Sequence, residues 1–226
     1  MCYNSFMFKF KFWKSEIPNS IFYLTIVAVV FNFLRIFIWG KISFIYILWN
    51  LLLALIPFLI SFCLYALREK KINLFFLVIS LFFWILFLPN APYLITDLIH
   101  LGESKKVPIL FDTLLLFSSA VLGLVFYLHS LKHVEIVLSK FFSQKFIKIF
   151  ILVTIFLTSF GIYLGRFLRF NSWDLFLNHN SLFGHTLKIF TQMATHFDVY
   201  MFTLLFSFFL FFTYLAWQDS FKSYQK

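Results

Sequence analysis

The chain has 226 residues, 62% of them hydrophobic and only 12% charged, with a mean hydropathy of +0.91. That composition excludes an ordinary soluble domain and indicates a membrane protein. The formal charge of +10 is not read as a nucleic-acid footprint, because basic residues flanking apolar runs are what membrane orientation requires.

The 38 phenylalanines run through every apolar segment. They reflect the tolerance of lipid-facing positions for any apolar side chain, with an AT-rich genome behind it, rather than an aromatic device. Cys2 and Cys63 stand far apart and support neither a disulfide framework nor a thiolate metal site.

In chain order, residues 1–19 form a basic, aromatic lead-in without a signal-peptide cleavage pattern. Six apolar runs follow, at about 20–39, 42–67, 72–88, 112–131, 146–168 and 199–217, each near the length a span needs. Their continuous hydrophobicity predicts helices rather than barrel strands. Residues 218–226 make a short tail, and the whole of 20–217 is expected to be one domain.

Lysine and arginine set the orientation. Lys9, Lys11, Lys14, Arg68, Lys70, Lys71, Lys132, Lys140, Lys145, Lys148, Lys222 and Lys226 fall on one side; Arg35, Lys41, Lys105, Lys106, Arg166, Arg169 and Lys188 fall on the other. The richer side is expected to be cytoplasmic, with both termini there. The two longest connections, about 89–111 and 169–198, then lie outside.

The first of these connections opens with "LPNAPYLITDLIHLG". Pro89 is expected to end the third span, Asn90 to cap a new helix, Pro92 to sit in its first turn and Gly102 to stop it. Asn90, Tyr93, Asp97 and His100 recur on one face of this short helix, opposite Leu94, Ile95, Leu98 and Leu101. It lies at the outer surface or tucks between spans. Its polar stripe is either a site or a cap, an interfacial anchor and an Asp97–His100 pair.

Further on comes "GRFLRFNSWD". Arg166 and Arg169, one turn apart, suit a phosphate or carboxylate, or pairing with Asp97 or Asp112. Equally, they reach the headgroups while Asn171 and Asp174 cap the next helix and Trp173 joins the aromatic belt. Gly161 and Gly165 are read as helix-packing residues. Residues 181–198 read as a second amphipathic outer helix, with Phe183, Leu187, Phe190, Ala194 and Phe197 opposite His185, Lys188, Gln192 and His196.

The two motifs, in this order and in a chain of this hydropathy, resemble the domain of unknown function 1361 family of bacterial multi-pass membrane proteins. The resemblance implies that residues 88–101 and 165–174 are distinguishing features and that Asp112 is a third polar contributor. It implies no activity.

The expected fold is therefore all-α: an integral membrane bundle of about six transmembrane helices with two short amphipathic helices on the extracytoplasmic side, in the bacterial cytoplasmic membrane. No catalytic signature motif is present, and no cofactor or metal is assigned. The best functional expectation is binding or processing of an anionic lipid or lipid-linked molecule at an outer polar pocket. There His100, oriented by Asp97, would transfer protons, and Asn90, Tyr93, Asp112, Arg166, Arg169, Asn171, Trp173 and Asp174 would bind the ligand. The alternatives are a permeation protein using Asn50 and the break at Pro89, and a structural protein fastened by Asp97 and the arginines.

Overall fold

The computed structural model describes residues 19–40, 44–103 and 106–223. The lead-in expected over 1–19 lies outside these residues except for Asn19. In order, the helices are α1 (Asn19–Trp39), α2 (Ile45–Ala66), α3 (Leu74–Phe87), α4 (Asn90–Thr96) with a 3-10 turn Asp97–His100, α5 (Ile109–Leu138), α6 (Gln144–Arg166), α7 (Asp174–Leu177), α8 (His179–Thr191), a 3-10 turn Met193–His196, and α9 (Phe197–Ser223). Six stretches are long and apolar enough to cross a membrane, with α3, α4 and the following 3-10 turn counting as one of 27 residues.

At the centre, α5 packs against α1, α2, α4 and α6, while α9 leans on α6. This centrality explains why α5 is longer than expected. Its 30 residues extend to Leu138 instead of stopping near 131, a length of about 45 Å against a hydrocarbon thickness of about 30 Å. The extra turns carry polar residues that pair within the bundle. His133 is buried, and the Glu135 carboxylate accepts from Lys132, Tyr214 and Gln218. Polar residues that pair across helices extend a bundle helix past the point where hydropathy alone would end it. On α9, which continues to Ser223 rather than ending at 217, Gln218 pairs in the same way.

Core packing is aliphatic and aromatic with few polar nodes. Fully buried Trp84 on α3 donates its indole N–H to Ser130 Oγ on α5 at 2.6 Å, and Ser130 donates to the Pro57 carbonyl on α2 at 3.2 Å. Three helices are pinned by one satisfied chain of hydrogen bonds. Outside, Phe37 and Phe75 are 88% and 73% exposed, as lipid-facing side chains should be.

Alternation of the spans gathers Trp39, Ile45, His100, Ile109, Arg166 and Phe197 at one end, hereafter the Arg166 end; the Trp39 ring lies 4.7 Å from that of Phe111. At the opposite end Lys140 donates to the Arg68 carbonyl and to Glu69 Oε1, at 2.5 and 3.0 Å. The Lys140 hydrogen bond and charge hold the fully exposed Glu69 carboxyl below its usual range.

Two expectations need correction. The chain does not stop at Pro89 and restart with Asn90 as a cap. Leu88 and Pro89 both keep right-handed helical angles, φ −56° and −57°, so the path turns without leaving the span. Nor is 181–198 one helix, because Gln192 leaves helical geometry at φ −121°, ψ 52°. On α8 the buried residue is Ile189, while Phe183, Leu187 and Phe190 are exposed.

Candidate functional site at the Arg166 end

A turn between α3 and α4 leaves carbonyls that a continuous helix would have used, and no water in hydrocarbon can satisfy them. Asn90 Nδ2 donates to the Phe87 carbonyl at 2.9 Å, and Ser172 Oγ donates to the Leu86 carbonyl at 3.0 Å. Asn90 Nδ2 also reaches Ser172 Oγ at 2.9 Å. The amide therefore binds the interruption to the segment after α6. It caps nothing.

Glycines let α4 sit inside the bundle rather than on its surface. A Cβ on Gly161 would lie 2.7 Å from Pro89 Cγ, and one on Gly165 would lie 3.2 Å from the Tyr93 ring. Gly161→Ala should cost about 1–3 kcal/mol through displacement of the proline ring, seen as a lower unfolding midpoint in detergent.

The polar stripe of α4 meets Arg166. Its guanidinium donates through Nε to Thr96 Oγ1 at 2.8 Å and through Nη1 to His100 Nε2 at 3.0 Å; Nη2 pairs with Asp97 Oδ1. The Tyr93 ring lies 4.3 Å from the guanidinium carbon. Asp97 is 1% exposed, and its other oxygen accepts from Asn50 Nδ2 on α2 at 3.1 Å. Asp97 and His100 do not pair with each other.

Histidine protonation follows from these partners. Arg166 only donates, so His100 Nε2 accepts, and the proton resides on Nδ1, which gives it to Glu103 Oε1 at 2.6 Å. Both ring nitrogens are thus engaged.

The remaining expected site residues divide. Asp112 joins neither arginine of the second motif; it is buried against Arg35 of α1, with Nε to Oδ1 at 2.7 Å. Asp174 is buried and accepts from the Asn171 backbone N–H at 2.6 Å and from Asn178 Nδ2 at 2.7 Å, closing the loop before α7. Trp173, half-buried, precedes α7. Asn171 is exposed and lines a cavity. Arg169 is exposed, has φ 60°, and makes no ion pair with a described residue. Among the described residues no three His, Cys, Asp or Glu side chains converge as metal ligands would.

Two hollows open here. One, about 170 Å³, lies between α2, α4, α6 and the 170–182 segment and is lined by Asn50, Asn90, Asn171 and Ser172 with several leucines. The other is a groove of about 460 Å³ bounded by Tyr46, His100, Glu103, Arg166 and Arg169. Tyr93 and Gly165 line both. Asn50, Thr96, Ser172, Glu103 and Tyr46 were not singled out from sequence as binding residues. Only Asn50, a lone amide in an apolar span, carried a signal.

These features define a multi-pass helical membrane protein with its interhelical polar chemistry concentrated around a broken third span. The chain belongs to the family described as Protein of unknown function (DUF1361), whose model matches residues 49–213. No curated protein and no solved structure matches it.

Proposed function

We propose that the protein binds an anionic, phosphate-bearing or lipid-linked molecule at the Arg166 end, which the lysine and arginine asymmetry assigns to the extracytoplasmic face. Arg169 carries this reading. It occupies the left-handed backbone region, φ 60°, where a residue with a Cβ costs about 1–2 kcal/mol and glycine is at ease. Yet an arginine stands there, exposed, beside the groove, with no ion pair to a described residue. Strain accepted at a cation in a groove points to a role for its charge. The Tyr46 hydroxyl, buried and without a hydrogen-bond partner among the described residues, belongs to a residue of the same groove and offers a second donor.

Asp97, His100 and Arg166 support the groove rather than transfer protons. A general base needs a free lone pair within reach of its substrate, and the accepting nitrogen of His100 is already taken by Arg166. A second reading, in which both motifs only fasten helices, draws on the same closed network.

Arg169→Gly separates the two. Relief of backbone strain should leave the unfolding midpoint unchanged or raise it, by up to about 1 kcal/mol of stability. On the binding reading, phosphate-bearing lipid retained through gentle purification, quantified by mass spectrometry, should fall about tenfold. Equal retention by both proteins, or none by the wild type, would leave the fastening reading alone standing.

A further inference from the structure

The smaller hollow is chemically unlike the groove beside it. Among its lining residues there is no Asp, Glu, Lys, Arg or His; its polar side chains are three amides, one serine and the Tyr93 phenol. At about 170 Å³ it is well below the roughly 300–1,000 Å³ of pockets for drug-sized ligands. It has room for one small group.

Hydrogen-bond accounting fixes what that group offers. Asn50 spends one of its two N–H groups on Asp97, and Asn90 spends both of its own, on the Phe87 carbonyl and on Ser172. Turning either amide over would set oxygen against oxygen, so the orientations are determined by their partners. Each Oδ1 then accepts from no described residue and belongs to a side chain that lines the cavity. Ser172 Oγ is already both donor and acceptor. Pro57, lacking an N–H, gives nothing to the carbonyl of Leu53, another lining residue. The cavity therefore presents uncharged acceptors beside the donors of Asn50, Asn171 and the Tyr93 phenol, a mixed set that suits hydroxyl groups, which both give and accept. Asn171, whose side chain bonds to no described residue, can both give and accept.

We propose that this cavity holds a neutral polyhydroxyl group of the same molecule whose anionic group lies in the groove, making the ligand a phosphate ester of a polyol. The proposal rests on the anion-binding reading above. The two subsites meet at Tyr93 and Gly165, as one ligand spanning both would require. A glycerol phosphate headgroup and a sugar phosphate share this chemistry.

The test is titration of the purified full-length protein in detergent with inorganic phosphate, glycerol phosphate and glucose 1-phosphate. Either ester should bind at least about tenfold tighter than phosphate, the usual scale of one or two well-placed hydrogen bonds. The tighter ester identifies the source. Asn171→Leu, which spares the backbone N–H that Asp174 accepts, and Leu182→Phe, which fills the cavity, should each erase the ester's advantage and leave phosphate affinity unchanged. Unfolding midpoints of both variants confirm that the bundle is intact. Esters binding no better than phosphate, or variants keeping the advantage, would overturn this inference while the anion reading stood. Absence of binding by all three compounds would remove both.

Discussion

Replacing Arg35 by methionine should destabilise the bundle by about 3–5 kcal/mol, and adding Asp112→Leu should restore most of that loss. Both side chains are 1% exposed, and the guanidinium meets the carboxylate twice, at 2.7 and 3.3 Å. A buried pair is a weak net stabiliser, because desolvation consumes most of the attraction, but half a pair is far worse. Asp112 lies in the first turn of α5, where the helix dipole also favours its charge. That contribution is too small to replace a guanidinium. The measurement is the thermal midpoint in detergent, where the single variant should drop by roughly 10 °C and the double variant should approach wild type. A single variant as stable as wild type would show that the carboxylate is satisfied without Arg35.

Gly123→Ala should be at least as damaging. The added Cβ would lie 2.3 Å from the Ala91 carbonyl oxygen and 2.7 Å from Leu94 Cδ1. The first contact is with backbone, which cannot rotate aside. Moving α4 outward would stretch the links of Asn90 to Ser172 and of Asp97 to Asn50 and Arg166. Overpacking ordinarily costs about 1–3 kcal/mol, more where nothing can yield, and loss of ligand binding should accompany it. Gly184→Ala in α8 is the control: its Cβ would meet nothing within 4 Å, so stability should hold or rise by up to about 1 kcal/mol. Equal effects of the two substitutions would rule out the close approach as the cause.

Much of this was legible in the residues. Continuous apolar runs located six spans, and the three- and four-residue spacing of Asn90, Tyr93, Asp97 and His100 identified a face whose last three members meet Arg166 while Asn90 meets Ser172. What spacing could not assign was partnership. Arg166 and Arg169 stand one turn apart in sequence, but α6 ends at Arg166 and Arg169 takes a left-handed conformation, so the two do not share a helix face although both border the same groove. Asp112 pairs with Arg35, 77 residues earlier, a contact set by tertiary packing. Pro89 read locally as a terminator because its missing N–H is a local property. That Ser172, 86 residues beyond Leu86, would serve one of the stranded carbonyls was not.

The separation of Arg35 from Asp112 also bears on how the protein is made. At a synthesis rate of roughly 5–20 residues per second, about 4–15 s pass between the emergence of the two, given their 77-residue spacing. During that interval the first span carries its arginine, four residues from the helix end at Trp39, without the Asp112 carboxylate. The carboxylate that pairs with Arg35 arrives only with α5. The Arg35–Asp112 link between α1 and α5 thus forms only once the fourth span has been made.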